Sequence, residues 1–176
     1  MIFKPTPLRG SYLIEIEKVE DQRGFFARAW CSREFESHGL SGTFAQINVG
    51  FNNRKGTLRG MHYQVEPHAE VKVVRCTRGE VFDVIVDLRP ESPTYKRWFG
   101  AELSAENHRM LYVPEGYAHG YLTLTDQAEI YYLASAPYAP ESARGARYND
   151  PAFGITWPET VTTISEKDAS WPDIGP

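Results

Sequence analysis

The sequence predicts an all-β fold, a double-sheet barrel of the jelly-roll type with one or two short helices. Short apolar runs rich in β-branched and aromatic residues follow one another along the chain, and several alternate with a period of two. Fourteen glycines and twelve prolines separate these runs at short intervals. The chain shows neither a regular alternation of strands with helices nor an internal repeat. A closed double sheet suits this pattern because it hides strand edges and leaves a mouth for a ligand.

Seven strands are predicted in order along the chain. Each is a run of β-branched, aromatic and aliphatic residues that ends at a cluster of turn-forming residues. In the longest run, Asp83 and Asp87 fall on the face opposite four apolar side chains. The predicted strands span residues 11–17, 44–49, 71–76, 80–88, 98–103, 109–113 and 128–134.

Two short helical segments are predicted. The first covers residues 33–38, where Ser32 can cap the amino end and Gly39 can adopt the left-handed conformation that ends a helix. The second is a single turn after Ser165, whose hydroxyl can cap the following Glu-Lys-Asp sequence. Both are too short to change the all-β assignment.

Length and composition indicate one domain spanning residues 1–176. The chain is 41% hydrophobic and 24% charged, and its formal net charge of −4 argues against general binding of nucleic acid or anionic membranes. No apolar run approaches the roughly 18 residues of a membrane span, and no hydrophobic leader precedes the first strands. Cys31 and Cys76 are far apart and form no Cys-x-x-Cys pair. We therefore expect a soluble cytoplasmic protein.

Polar residues inside predicted strands are candidates for a site, because the inward positions of a small barrel are expected to be apolar. Lys72 alternates with Val74 and Cys76. Either this strand carries a cation into the barrel, or it is a solvent-facing edge strand. Tyr132 shares a face with Ile130, which is compatible with a structural tyrosine as well as with a functional hydroxyl.

Three further segments carry candidate side chains. LRGMHYQ places Arg59, His62 and Gln64 within six residues, and the last two would face the same side if the segment forms a strand. His119 lies in PEGYAHGY and Asp168 in the polar segment SEKDASWP. Each also has a purely structural explanation, as a core histidine, a histidine near a turn or a solvated carboxylate. Motifs of serine hydrolases, zinc proteases, P-loop proteins and dinucleotide-binding folds do not occur.

The segment VPEGYAHGY resembles the second cupin motif, Pro-x-Gly-x-x-His, and implies that the barrel is a cupin double-stranded β-helix. Where a metal-binding cupin has His-x-His in its first motif, this chain has His62-Tyr63-Gln64. Because one imidazole is missing, the usual site of three histidines and a glutamate is not available, and no metal is expected. A metal held by His62, His119 and Glu70 is the alternative.

A longer set of motifs occurs in order along nearly the whole chain. It includes DQRGFF (21–26), TLRGMHYQ (57–64), GEVFDVIVDLRPESPTY (79–95), VPEGYAHGYLTL (113–124) and SEKDASWP (165–172). This set resembles the dTDP-4-dehydrorhamnose 3,5-epimerase family of nucleotide-sugar epimerases. The resemblance implies an epimerase without a cofactor that acts on a nucleoside-diphosphate 4-keto-6-deoxyhexose, in deoxysugar or rhamnose biosynthesis.

The same resemblance implies roles for individual residues. His62 corresponds to the base that removes the proton next to the C4 ketone, and Asp168 to its dyad partner. Tyr132 corresponds to the acid on the opposite face, and Lys72 to the cation beside the C4 oxygen. Epimerisation next to a ketone needs such a base, acid and electrophile. The positions that correspond to sugar, phosphate or base contacts are Arg23, Gln46, Asn48, Arg59, His119 and Tyr138.

Four positions depart from the family pattern. Arg28 stands where a glutamate is typical near the base-recognition site, and Val19 replaces an aromatic residue. A guanidinium only donates, so this change alters which base edge can be read, and a CDP-linked sugar is an alternative to a dTDP-linked one. Leu133 and Pro137 stand where lysine and an aromatic residue are frequent. Inversion at C3 or C5 alone is therefore the alternative to inversion at both carbons.

Members of this family are typically homodimers, so a homodimer is expected, with the segment 1–45 contributing to its interface. Three other functions stay open, namely a ketoisomerase, a metal-dependent cupin and a sugar-binding cupin. The presence of both His62 and Tyr132 favours the epimerase over the ketoisomerase. The fold alone does not decide among them.

Overall fold

The computed structural model describes residues 1–175 and contains, within that range, fourteen strands and two short helices. In chain order they are β1 (Ile2–Pro5), β2 (Tyr12–Glu15), β3 (Val19–Asp21), β4 (Gly24–Phe26), α1 (Ser32–Ser37), β5 (Gln46–Asn52), β6 (Thr57–Gln64), β7 (Lys72–Arg78), β8 (Glu80–Asp87), β9 (Trp98–Ser104), β10 (Met110–Val113), β11 (Tyr117–Thr123), β12 (Ala128–Ala134), β13 (Ala143–Gly145), β14 (Thr163–Ile164) and α2 (Glu166–Ala169).

Two sheets pack against each other and form the barrel. The first has the order β1-β2-β10-β7-β12-β5, and its pairs are antiparallel. The second has the order β13-β6-β11-β8-β9, and β14 runs parallel beside β6. β3 and β4 form a separate two-stranded ribbon. From β5 to β8, and again from β9 to β13, consecutive strands of the chain lie in alternate sheets. The predicted all-β jelly-roll barrel is confirmed.

The main core lies between the two sheets. Val74, Leu111 and Ile130 from the first sheet pack with Ile85 and Leu103 from the second, and all five are fully buried. Inward positions that alternate along strands of both sheets supply these side chains. Removal of this apolar surface from water is the main driving force for closing the barrel.

β8 is buried on both faces. Val84 and Val86 pack under the C-terminal segment together with Phe153, whereas Asp83 and Asp87 lie on the opposite face. The predicted alternation is therefore correct. Both carboxylates are 0% exposed, so each needs partners inside the protein.

The seven predicted strands correspond to β2, β5, β7, β8, β9, β10 and β12, with ends that differ by at most three residues. Among the strands that were not predicted, β6 and β11 each contain a glycine and a histidine within an otherwise short apolar pattern. A Cβ built on Gly60 of β6 would lie 2.5 Å from the Cα of Gly120 of β11. Glycine is needed at this contact because the two backbones approach closely, which weakens the strand signal in the sequence.

The two helices match the predicted positions, with one correction. Ser32 is not the N-cap of α1, because that position is taken by Cys31, whose extended backbone precedes the helix without a side-chain cap. At the other end Gly39 has φ +70°, and its N–H and that of Leu40 donate to backbone carbonyls of the last turn at 2.9 and 3.0 Å. In α2 the predicted Ser165 cap is confirmed, because its hydroxyl accepts from the Asp168 N–H at 3.1 Å.

None of the helices within residues 1–175 has the length and apolar character that crossing a membrane requires.

Candidate active site

A cavity of about 330 Å³ opens between the two sheets. β5, β7 and β12 of the first sheet form one wall, and β6 and β11 of the second form the other. The segment after β12, β13 and α2 complete its rim. Its lining side chains include Gln46, Arg59, His62, Gln64, Glu70, Lys72, His119, Tyr121, Tyr132, Tyr138, Arg144, Lys167 and Trp171.

His62 and Asp168 form a close pair at this cavity. His62 Nε2 lies 2.7 Å from Asp168 Oδ1, with the imidazole 44% exposed toward the cavity and the carboxylate only 7% exposed. Burial alone would raise the pKa of Asp168, but hydrogen bonds from His62, Gly60 and Trp171 hold it below its ordinary value. A carboxylate only accepts, so Nε2 carries the ring proton and Nδ1 is left as the basic nitrogen.

The position of Asp168 depends on the packing of the chain around α2. The Gly60 N–H donates to Oδ2 at 3.2 Å, and the Trp171 Nε1–H approaches Oδ1 at 3.4 Å. Trp171 lies over Gly145 of β13, where a Cβ would come within 2.2 Å of the indole ring. Gly145 therefore leaves the room that Trp171 needs to support the carboxylate.

Tyr132 reaches the cavity from β12, in the sheet opposite the one that carries His62. Burial raises the pKa of Tyr132, and the negative charge of Glu70 raises it further, whereas Arg59 acts in the other direction. The phenol is therefore protonated at neutral pH and able to donate a proton. A basic nitrogen and an acidic hydroxyl thus face one cavity from its two walls.

Lys72 lies on β7, an interior strand between β10 and β12, and its side chain points into the barrel. The first of the two explanations that the sequence left open is therefore correct, and the edge-strand alternative is wrong. Lys72 Nζ lies 2.8 Å from Glu70 Oε1, and both side chains are 10% exposed.

His119 forms a second buried pair. Its Nε2 lies 3.0 and 2.9 Å from the two carboxylate oxygens of Asp83. Burial raises the pKa of Asp83, and the charge and hydrogen bond of His119 lower it in part. The alternative metal site is not assembled in this arrangement. Its three members each face another partner, and no cluster of three or more His, Cys, Asp or Glu side chains that could hold a metal occurs among the described residues.

Arg59 is oriented by Asn52 and Tyr121. Its Nε donates to Asn52 Oδ1 at 2.8 Å, and the Asn52 amide donates to the Tyr121 hydroxyl at 3.2 Å. Sequence reasoning missed Tyr121, although it follows His119 by two residues and therefore faces the same side of β11. Arg144, Lys167 and Trp171 were missed as well, because only the three-dimensional fold brings them to the cavity. Asn52, which is buried behind Arg59, was also missed.

Basic side chains outnumber carboxylates in the lining of the cavity, although the chain as a whole has a formal net charge of −4. Four basic side chains and one carboxylate are among its lining residues. Arg144 and Lys167 lie at the rim contributed by β13 and α2. Such a lining favours a ligand with negative charge.

Three predicted contact residues do not line this cavity. Asn48 lies next to it on β5 and accepts a hydrogen bond from Gln46 at 3.3 Å. Arg23 is 84% exposed and pairs with Asp21, and Arg28 is 61% exposed and pairs with Glu34 at 2.9 Å. The structure therefore brings the predicted catalytic residues together but leaves both arginines of the segment 1–45 apart from them.

Comparisons with known proteins agree with this architecture. The family model described as dTDP-4-dehydrorhamnose 3,5-epimerase matches residues 5–175. The dTDP-4-dehydrorhamnose 3,5-epimerase of Sinorhizobium fredii is 43% identical over 175 residues, which are 99% of this chain and 90% of that protein. The crystal structure of the corresponding enzyme from Elizabethkingia anophelis is similar with a TM-score of 0.95 at 41% identity, over 99% of this chain and 96% of that one.

A crystal structure of the Bacillus anthracis enzyme with TDP and PPi bound is similar with a TM-score of 0.94 at 38% identity, over 98% of this chain and 99% of that one. The agreement extends over nearly the whole length of all these proteins. The chain belongs to the dTDP-4-dehydrorhamnose 3,5-epimerase family.

Proposed function

We propose that this protein inverts C3 and C5 of a dTDP-linked 4-keto-6-deoxyhexose by proton transfers that its own side chains carry out. The observation that supports this most directly is the placement of His62 and Tyr132 on opposite walls of one cavity, with Lys72 on the same cavity. A base, an acid on the other side and a cation for the carbonyl oxygen are the groups that inversion next to a ketone needs.

The first step is removal of a proton from the carbon next to the C4 ketone. Nδ1 of His62 takes this proton, and the electron pair of the broken C–H bond moves into an enolate whose charge lies on the C4 oxygen. Asp168 stabilises the imidazolium that forms, because it accepts the Nε2–H at 2.7 Å. The Lys72 ammonium stabilises the enolate oxygen.

The second step returns a proton on the other face. The Tyr132 hydroxyl donates its proton to the same carbon, the carbonyl is restored, and the configuration is inverted. The proton on His62 and the one missing from Tyr132 are then exchanged with solvent, so a solvent hydrogen is incorporated at each inverted carbon. A second round at the other carbon next to the ketone completes a 3,5-epimerisation.

The nucleoside diphosphate fits the charged part of the cavity. Arg59, Arg144 and Lys167 supply the donors that pyrophosphate oxygens prefer. Tyr138 is 60% exposed at the rim, as expected for an aromatic ring that stacks on a base. The TDP-bound relative supports thymine as the base. Arg28 lies away from the cavity of its own protomer, where it pairs with Glu34 at 2.9 Å.

A homodimer supplies the two arginines that one protomer leaves away from its cavity. Within the segment 1–45, residues 19–30 expose four large apolar side chains, and the outer face of the edge strand β5 exposes three more. Burial of these side chains favours association. We propose that the dimer brings Arg23 and Arg28 of one protomer toward the cavity of the other. The apolar side chains are Val19, Phe25, Phe26 and Trp30, and Ile47, Val49 and Phe51.

Sedimentation velocity tests this assembly. The chain has a mass of 20.0 kDa, so the unmodified protein should sediment with twice that mass. Ile47→Asp should sediment as a monomer and lose turnover, whereas Tyr95→Asp, at an exposed aromatic residue outside both apolar surfaces, should remain dimeric. A monomeric unmodified protein with full activity would rule the assembly out.

The activity is tested by NMR in D₂O with dTDP- and CDP-linked 4-keto-6-deoxyglucose supplied separately. We expect deuterium at both C3 and C5 of the dTDP-linked sugar and slower exchange on the CDP-linked one. Deuterium at one carbon only would establish single-site epimerisation, and faster reaction of the CDP-linked sugar would contradict the proposed carrier. No exchange on either carrier would overturn the function.

The free thiols of Cys31 and Cys76 suit the reducing cytoplasm, in which we expect this protein to act.

A further inference from the structure

Glu70 is a carboxylate inside the cavity that the two proton transfers do not use. Its Oε1 lies 2.8 Å from Lys72 Nζ, and both side chains are only 10% exposed. Glu70 lies in the segment just before β7, and it lines the same cavity as Tyr132. A charge pair withdrawn from water is costly to form, so its stabilising effect alone does not account for its place in the site.

We propose that Glu70 is a positioning residue, which fixes the Lys72 ammonium at the cavity wall and places a negative charge beside the Tyr132 hydroxyl. The inference rests on the proposed function, in which Lys72 faces the C4 oxygen and Tyr132 returns the proton. Glu70 acts through these two side chains and needs no contact with the sugar.

The effect on Lys72 follows from the flexibility of its side chain. Lysine has a flexible four-carbon stem and three N–H donors. The ion pair with Glu70, at 2.8 Å, restrains the nitrogen at the cavity wall and leaves N–H donors available for the C4 oxygen. An ammonium that is already oriented when the enolate forms stabilises it without reorganisation.

The effect on Tyr132 is electrostatic. A negative charge nearby disfavours the phenolate, so Glu70 keeps the Tyr132 hydroxyl protonated before the enolate forms. Arg59 acts on Tyr132 in the opposite direction. The charged and titratable groups that surround Lys72 and Tyr132 from the other strands are Arg59 and His62 on β6, Asp83 on β8, and His119 and Tyr121 on β11.

The first test measures Tyr132 directly and needs no turnover. Protein labelled with ¹³Cζ-tyrosine is titrated by NMR, and the Tyr132 signal is assigned as the one missing from Tyr132→Phe. We expect the Tyr132 signal of Glu70→Gln to titrate at lower pH than in the unmodified protein. Glu91→Gln makes the same charge change at an exposed site away from the cavity and should leave the titration unchanged. An unchanged titration in Glu70→Gln would overturn the proposal.

The second test measures epimerisation. In Glu70→Gln we expect kcat to fall about tenfold with KM within about twofold, because the groups that act in the transition state lose their orientation. The alkaline limb of its pH profile should move to lower pH, and Glu70→Asp, which keeps the charge, should restore that limb. Unchanged kcat and pH profile in Glu70→Gln would overturn the proposal. If the unmodified protein gives no turnover, the proposed function fails, whereas the tyrosine titration still tests Glu70.

Discussion

At the residue scale, three basic side chains of the candidate site each pair with an acidic side chain. In each pair the acidic partner fixes the orientation of the basic group and contacts little or no solvent. Loss of a partner is therefore expected to lower kcat more than it changes KM, because the substrate contacts remain. The pairs are His62–Asp168, Lys72–Glu70 and His119–Asp83.

Asp168→Asn tests the first pair. The amide can donate as well as accept, so the ring proton of His62 is no longer held on Nε2 and the basic nitrogen loses its orientation. We expect kcat to fall by ~10²-fold or more with a small change in KM. Steady-state kinetics on the dTDP-linked sugar measure this.

Glu166→Gln provides the matched control for that variant. It makes the same acid-to-amide change on α2 at an exposed position, and it should retain nearly full activity. Turnover of Asp168→Asn within twofold of the unmodified enzyme would remove Asp168 from the proposed mechanism.

At the element scale, the position of the dyad depends on how α2 packs against the second sheet. α2 has only four residues, so it has little stability of its own. Its Ser165 cap, the Asp168 hydrogen bond to the Gly60 N–H and the packing of Trp171 over Gly145 hold it in place.

Gly145→Ala tests this support at a residue that has no side chain and takes no part in the proton transfers. The new methyl group would lie within 2.2 Å of the Trp171 ring, so the indole has to move and Asp168 with it. We expect about a tenfold loss of kcat and an unchanged fold by circular dichroism. Trp171→Leu relieves the clash, so the two changes combined should lose less activity than the sum of their separate effects. Strict additivity would contradict the coupling.

Two of the strands that carry the site, β6 and β11, were not predicted. The predicted strands β7, β8 and β12 have a continuous β-branched and aromatic pattern, whereas β6 and β11 contain Gly60 and Gly120 at their close approach. The glycines that permit this approach also interrupt the pattern. His62 and His119 were therefore identified as candidates from their motifs rather than from a strand assignment.

At the scale of the whole molecule, the sequence predicted the residues that meet in the cavity and also Arg23 and Arg28, which lie outside the cavity of one protomer. His62, Lys72, Tyr132 and Asp168 are far apart in sequence and meet in one protomer. The other predicted contacts in the segment 1–45 do not reach that cavity. No local pattern shows which protomer such a segment serves, because that depends on the assembly.

Stability of the barrel depends in part on Asp87. The carboxylate is fully buried and accepts bonds from Arg89, Ser92, Thr94 and Tyr117. Burial alone would raise the pKa of Asp87, but the bonds from Arg89, Ser92 and Thr94 hold it well below its usual range. Because the pKa is lower in the folded state, this stabilisation is present above the ordinary value of about 4 and is lost as the pH falls below it.

Asp87→Asn should therefore lower the free energy of unfolding by roughly 3 kcal/mol at pH 7. The difference in free energy of unfolding between the variant and the unmodified protein should be smaller at pH 3. At that pH the Asp87 carboxylate is largely protonated in the unfolded state, so its low pKa in the folded state stabilises the protein less. Urea unfolding at one fixed protein concentration measures both values. Asp126→Asn, in an exposed pair with Arg54, should cost under about 1 kcal/mol. An equal loss for Asp87→Asn at both pH values would contradict the assignment.

The central claim is that His62 and Tyr132 act on opposite faces of the same carbon. The most direct measurement compares solvent deuterium incorporation with inversion for Tyr132→Phe and His62→Ala, by NMR of the dTDP-linked sugar in D₂O. Tyr132→Phe should still incorporate deuterium with retained configuration, since His62 can return a deuteron to the face it deprotonates, and inversion should fall ~10²-fold or more. His62→Ala should lose both incorporation and inversion. Inversion by Tyr132→Phe at the unmodified rate, or full deuterium incorporation by His62→Ala, would contradict the two-sided mechanism.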